Sequence, residues 1–364
     1  MTWFILPLPL RSMLSSGVLI VALTLGWPDK VAVSSPINPQ HTLEQAIVKQ
    51  FKLSIYLPPG YSPVQRYGVI YFNDGQNVFG SLGLGVEETA DVLIKDRLID
   101  PIIVVGIHSD HQRTSFYVPY EDEGVTADFG NYRPLADWYT KQIIKDIIPY
   151  INEKYSTSPK TGIAGYSFGG LQATWAALNY PDHFSFSGAL SPSFWVRDFG
   201  ILDEAKKAKG TQVYYFDVGT GEWNYYVPML IKSGQTILRN VFYYEAINKR
   251  HVLADWRGAR IKNILLLFAG KTDWNEYDWS VNLEVIRSEY TAKTYLRINP
   301  VITYSNGLTA SISYAATYSL LNPADGVINK DGSFRFLHNN DLKIVVTYLG
   351  QSKTMEVRYD QVNQ

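Results

Sequence analysis

The residues best able to do chemistry lie in Gly165-Tyr166-Ser167-Phe168-Gly169, a G-x-S-x-G followed by a further glycine, Gly170. A short strand pattern, Thr161 to Gly165, precedes it and a helical pattern, Phe168 to Leu178, follows. That context suits a serine carried on a strained strand-to-helix turn, where flanking side chains would collide with the neighbouring strand and helix. The helix N-terminus would offer backbone N–H groups to a developing oxyanion. A serine nucleophile needs a base, and the base needs an orienting acid; in this architecture the chain order is Ser, acid, His. Six histidines are present, and order removes His41, His108 and His111. His183 sits at the far end of the nucleophile's own helix, and His338 lies in the C-terminal β-rich part. His251 remains, just after the strand pattern Val241 to Ile247. The acid is Glu222, in Gly219-Thr220-Gly221-Glu222 just past the strand Val213 to Val218, with Asp217 inside that strand as the alternative. Asp203 and Glu204 read as a solvated helix start. The loop Asn73-Asp74-Gly75-Gln76 is placed to supply the second oxyanion donor, so the backbone N–H groups of Gln76 and Phe168 are the expected pair.

These side chains need a scaffold that brings strand ends together. From about residue 40 to 270, strand and helix patterns alternate. Tyr67–Phe72 and Pro101–Ile107 read as buried strands, Val86–Leu98 as a helix, and Phe184–Leu190 as a further strand. Leu135–Tyr155 reads as one amphipathic helix with Leu135, Trp138, Ile143, Ile147 and Ile151 on its stripe. Ile261–Phe268 closes the series as a helix. Such alternation predicts an α/β fold with a mostly parallel sheet covered on both faces. Residues 271–280 read as a linker. Beyond them, Asn306-Gly307, Asp325-Gly326 and Asp331-Gly332 are hairpin signals between β-branched runs, which predicts a small all-β sandwich. The expected division is 1–34, 35–275 and 281–364.

Residues 1–34 carry Arg11 as the one charge before Asp29, then an apolar run from Met13 to Trp27 and the small residues Ala32-Val33-Ser34-Ser35. This matches an export signal, with an uncleaved anchor as the alternative; the run is short against the roughly 20 residues of a spanning helix. The expected location is therefore periplasmic or extracellular. The 364 residues have 33 Lys+Arg against 34 Asp+Glu, so a role resting on a basic field for nucleic acid is excluded. With 46% apolar residues the chain is not a disordered one, and without cysteine it is not a disulfide scaffold. His108-x-x-His111 with Asp110 imitates part of a metal site, but the helical H-E-x-x-H pattern is absent.

Taken in order, these segments resemble the Putative esterase family of α/β-hydrolases, which includes esterase D, feruloyl esterases, enterochelin esterases and mycolyltransferases. The resemblance spans roughly residues 43–270. It is carried by Leu57-Pro58-Pro59-Gly60-Tyr61, by Tyr71 to Phe79 with its Asp74-Gly75-Gln76, and by Arg113, Tyr117 and Pro119. Gly162 to Gly170, Tyr180 to Phe184, Leu190 to Trp195, Gly219 to Glu222, and His251 with Trp256 complete it. Two departures stand out: Lys249 and Arg250 occupy places where glycines usually precede the histidine, and Lys160-Thr161 stands where an arginine often precedes the elbow strand. The tail, through Asn322 to Ser333 and Ile344 to Tyr348, resembles a bacterial immunoglobulin-like domain of group 2, a class of spacers and surface-binding modules.

The resemblance implies a serine ester hydrolase using Ser167, Glu222 and His251, with no cofactor and no metal, acting on a small-molecule or glycan ester. An acyltransferase with the same triad, and a non-catalytic surface protein binding a glycan or partner, are the competing readings. Arg113 and Tyr117 are candidates for substrate contact, Arg113 either pairing with a carboxylate or holding its loop. Trp195, Trp223 and Trp256 lie near catalytic positions in sequence, either stacking on a sugar or aromatic acyl group or packing the pocket wall.

Overall fold

Eight strands form one sheet in the order β1-β2-β4-β3-β5-β6-β7-β8. They are β1 (Thr42–Val48), β2 (Phe51–Leu57), β3 (Tyr67–Asn73), β4 (Ile102–Ile107), β5 (Thr157–Tyr166), β6 (Phe186–Leu190), β7 (Val213–Gly219) and β8 (Val241–Ala246). The computed structural model describes residues 40–207, 210–222, 240–287 and 294–362. The expected export segment and Trp223 lie outside the described residues. β1 and β2 run antiparallel at one side of the sheet, and every pairing from β4 to β8 is parallel. This is the expected α/β-hydrolase-type architecture. β3 and β4 are buried almost throughout, as strands covered on both faces must be.

The two faces bury separate cores. On one, Ile143, Ile147 and Ile151 pack with Leu171 and Phe184. On the other, Val86, Ala90 and Leu93 pack with Ile261, Ile264 and Leu265. The long helix differs from its expected form. It runs as Ala136–Gln142, a π-helical segment Ile143–Ile147, and Ile148–Lys154. Its buried stripe includes Tyr139, Ile143, Ile147 and Ile151, while Trp138 turns outward at 38% exposed. A strict four-residue spacing drifts by about 40° per step around a 3.6-residue helix, and the wider π turn brings the stripe back onto the sheet.

The C-terminal part is two antiparallel sheets over one core. β9 (Tyr277–Arg287), β10 (Thr294–Tyr304), β11 (Thr309–Ser311), β13 (Gly326–Ile328) and β14 (Ser333–Phe336) form one sheet. β12 (Thr317–Leu320), β15 (Leu342–Tyr348) and β16 (Gln351–Val357) form the other. Ile298, Ile302 and Phe334 of the first meet Ile344, Val346 and Val357 of the second. The 271–280 stretch is not a free linker. β9 begins inside it at Tyr277, and Trp274 packs on Phe242 and Tyr304.

The described residues form one compact unit, with the sandwich docked on β8. Glu245 of β8 turns its side chain into the joint, where it pairs with Arg297 and accepts from Ser313 Oγ at 3.3 Å. Its backbone N–H donates to Ser311 Oγ at 3.0 Å. Asn263, on the helix Ala259–Ala269, binds the backbone of Thr309 through both its donor and its acceptor.

Candidate active site

Ser167 stands between β5 and the helix Phe168–Asn179 with φ 55° and ψ −125°. A non-glycine residue held at positive φ is strained and persists where the surroundings over-determine it. The flanking glycines do that here. A Cβ at Gly165 would sit 2.6 Å from the Gly169 carbonyl group, and one at Gly169 would press on Asn73 and Asp74 at 3.1 and 3.2 Å. Phe168 is the first residue of the helix, so its N–H has no acceptor within the helix. The Ser167 hydroxyl lies 3.4 Å from that of Ser193, whose N–H donates to the Ser167 carbonyl at 3.1 Å.

The expected oxyanion loop is pinned from three sides. Asp74, fully buried and at φ 58°, takes both arms of Arg113 at 2.8 Å and the Ser109 hydroxyl at 2.7 Å. Its N–H donates to the Tyr117 hydroxyl at 2.8 Å. Gly75 lies so close to β4 that a Cβ there would be 2.4 Å from the Gly106 carbonyl carbon. Gln76 follows in a single 3₁₀ turn and braces Ser109 through its side chain. Asn73 ties the loop to the nucleophile helix, donating to the Gly169 carbonyl at 2.9 Å and to Gln172 at 2.6 Å while accepting from Tyr139.

Of the two substrate-contact candidates here, Arg113 takes the loop-holding one of its two readings, and Tyr117 is corrected. Arg113 spends its guanidinium on Asp74 and reaches the Tyr166 carbonyl at 3.4 Å, so it holds the loop. Tyr117 is fully buried beneath the same loop. Both are loop supports because the buried Asp74 carboxylate and the loop N–H had to be satisfied.

Glu222 and His251 meet past the ends of β7 and β8. His251 Nδ1 lies 2.9 Å from Glu222 Oε2. The turn carrying Glu222 grips the loop carrying His251. The N–H of Gly221 donates to the Lys249 carbonyl at 3.0 Å, and that of Asn248 to Thr220 Oγ1 at 2.8 Å. The approach is close enough that a Cβ at Gly219 would be 2.1 Å from the Lys249 oxygen. Lys249 and Arg250, standing in place of glycines, are held by Asp255: the Arg250 N–H donates to it at 2.9 Å and Lys249 Nζ at 3.3 Å. These bonds and charges keep the Asp255 carboxyl below its ordinary range, the Arg250 N–H foremost.

Glu222 is buried, which pushes its carboxyl up. His251, Arg260 and the Ser191 hydroxyl outweigh that burial and hold it below the usual range, hence ionised. Asp217, the alternative acid, is fully occupied elsewhere. It pairs with both arms of Arg260 and accepts from the Tyr215 hydroxyl and the Ser191 N–H, each at 2.9 Å.

Trp256 is buried as well, which favours wall packing over substrate stacking. Its ring stacks on Tyr166, the residue before the nucleophile, at 4.4 Å, and meets the His251 ring edge-on at 4.9 Å. It therefore spans from the elbow to the histidine. Trp195 is half-buried against Phe168, with ring centroids 5.9 Å apart. Phe129, 55% exposed, stands edge-on to Phe168 at 4.9 Å, an aromatic surface that sequence reasoning missed. Arg260 and Tyr139 were missed too, and Ser191 and Asn73 were seen only as members of their motifs, without their roles. Arg260 left a signal as a buried charge set directly before the apolar run Ile261 to Phe268. Among the described residues no trio of His, Asp and Glu side chains is arranged to hold a metal. His108 binds Ser54 at 2.8 Å, and His111 stays exposed beside Asp110.

Comparison with known proteins finds ester hydrolases of the same fold. The iron(III) enterobactin esterase of Escherichia coli is 25% identical over 142 residues, which cover 35% of this chain and 33% of that one. The siderophore hydrolase EstB of Aspergillus nidulans shares the fold with TM-score 0.52 and 20% identity, over 68% of this chain and 98% of its own. A ferulic acid esterase superposes with TM-score 0.50 and 14% identity, over 64% of this chain and 99% of its own. The model of the family described as Putative esterase matches residues 45–297, a span that takes in the serine elbow, the Glu222 turn, His251 and the first strand of the sandwich. The chain belongs to the Putative esterase family and is a carboxylic-ester hydrolase.

Proposed function

We propose that the chain is an exported serine esterase in which Ser167, Glu222 and His251 form the catalytic triad. The observation that carries this reading is the 2.9 Å contact between His251 Nδ1 and Glu222 Oε2, held edge-on against the Trp256 ring that stacks beside the serine elbow. Ser167 attacks the ester carbonyl while His251 takes its proton. Glu222, ionised, orients His251 and stabilises its charged form. The N–H groups of Phe168 and Gln76 hold the tetrahedral oxyanion. His251 then protonates the leaving alkoxide, and water releases the acyl group by the same steps in reverse.

The substrate in this reading is a feruloyl-, siderophore- or carbohydrate-type ester. An aromatic acyl group is favoured by Phe129 and Trp195, whose rings both pack against Phe168, the residue that follows Ser167 in the chain. Relatives named as an enterobactin esterase, a siderophore hydrolase and a ferulic acid esterase support the same class. Export rests on the pattern of residues 1–34, and a spacer or surface-binding role for the sandwich rests on its sequence resemblance.

The test is a panel of nitrophenyl, feruloyl and acetyl-sugar esters and a siderophore lactone, assayed with wild type and Ser167→Ala. The expected result is hydrolysis of at least one aromatic acyl ester by wild type and its loss in Ser167→Ala. Equal activity in both proteins would end the proposal. A product shifted to a new ester by competing alcohol would reassign the chain as an acyltransferase.

A further inference from the structure

Ser191 directly follows β6 with φ 41° and no solvent exposure. Its N–H is fixed by Asp217 Oδ1 at 2.9 Å. Its hydroxyl touches three groups: Glu222 Oε1 at 2.6 Å, Trp256 Nε1 at 3.0 Å, and Arg260 Nη2. The indole and the guanidinium are donors only, so both must donate to the Ser191 oxygen. A hydroxyl has one proton and two lone pairs, which leaves that proton to Glu222. The direction of every bond at this node is therefore forced.

The consequence falls on Glu222. Its Oε1 receives the Ser191 hydroxyl, the Gly219 N–H at 2.8 Å and Arg260 Nη1 at 3.4 Å. Oε2 faces His251 Nδ1. A carboxylate so loaded on one oxygen is held against rotation. It presents its second oxygen as an acceptor, which keeps the histidine proton on Nδ1 and leaves Nε2 as the base.

We propose that Ser191 is a positioning residue of the triad: its hydroxyl locks Glu222 by one oxygen so that the other fixes His251. This rests on the triad reading above. Ser191 acts through Glu222, so its effect disappears where Glu222 no longer carries the charge. A residue that merely supports the local fold would cost the same in either background.

The experiment is a double-mutant cycle of Ser191→Gly and Glu222→Gln with nitrophenyl acetate. Glycine accepts the positive φ without strain. Rates are normalised to the fraction of Ser167 titrated by a fluorophosphonate, so poorly folded protein does not register. Ser191→Ala is run beside it to separate backbone relief from loss of the hydroxyl. Ser191→Gly and Ser191→Ala should each lose about 10- to 100-fold in kcat, the scale of one hydrogen bond to a charged group, with KM nearly unchanged. In the Glu222→Gln background the Ser191 substitutions should cost less than about threefold. Multiplicative losses, an unchanged kcat in the single variants, or an effect confined to KM would overturn the proposal. Ser167→Ala, run in parallel, reports separately on the triad: if it retains activity, the fault lies with the serine assignment and not with Ser191.

Discussion

At the residue scale, the arrangement divides acidic groups that look alike in sequence. Glu222 and Asp217 are both buried, and Arg260 touches both. Asp217 meets the guanidinium with both oxygens, whereas Glu222 keeps Oε2 for His251. Substitutions should therefore separate. Glu222→Gln should lower kcat by about 10² to 10⁴-fold with little change in melting temperature, as loss of a triad carboxylate does elsewhere. Asp217→Asn should instead destabilise by about 3 kcal/mol, because it removes the carboxylate that meets both arms of the buried Arg260 and leaves it the longer 3.4 Å contact with Glu222. Steady-state kinetics and chemical denaturation on the two variants measure this directly. The triad candidates were legible because nucleophile chemistry restricts residue type, order and turn context. Ser191 was not, because its role comes from three partners distant in sequence, Glu222, Trp256 and Arg260. Tyr117 misled for a related reason: sequence showed a residue capable of binding, but not the buried Asp74 N–H that claims its hydroxyl, while for Arg113 the loop-holding one of its two readings is the one the structure shows.

At the element scale, the sheet supplies adjacency and the loops supply precision. Parallel β5, β6, β7 and β8 put the Ser167, Ser191, Glu222 and His251 positions past neighbouring strand ends. The β3 loop approaches the same end, clamped by Asp74 and Arg113 and pressed onto β4 at Gly75. Gly75→Ala would drive a methyl into the Gly106 carbonyl group and displace the Gln76 N–H. The expected result is a fall in kcat of about 10²-fold, the scale of one lost oxyanion donor, with fluorophosphonate titration showing whether Ser167 is still reactive. Strand identities were readable from apolar runs bounded by turn residues. The π segment in the long helix was not, because a stripe of isoleucines four apart fits a regular helix nearly as well. The 271–280 stretch was misread since its Trp274 and Tyr277 gain their packing from Phe242 and Tyr304, which lie in other strands.

At the scale of the whole molecule, the sandwich is joined to the hydrolase sheet through buried charge. Glu245 and Glu284 share the single guanidinium of Arg297, and Glu284 also accepts from Asn299 at 2.6 Å. Burial, with the Glu245 charge beside it, pushes the Glu284 carboxyl up to about 8. Its folded value thus lies above its unfolded one, so its contribution to stability is full below the unfolded value near 4.5 and is lost as pH rises to about 8. Glu284→Gln, a neutral stand-in for the protonated acid, should match wild type near pH 4.5 and exceed its melting temperature near pH 9. An equal gain at both pH values would refute the titration. Charge balance and composition in the sequence excluded broad classes but gave no hint of this joint, since its carboxylates and arginine lie on three separate strands. The central claim remains that Ser167 is an activated nucleophile. It is tested most directly by intact mass and peptide mapping after treatment with a fluorophosphonate. The account predicts one adduct, on the peptide bearing Ser167, formed at least about 10²-fold more slowly in His251→Ala; no adduct, or an adduct retained in Ser167→Ala, would contradict it.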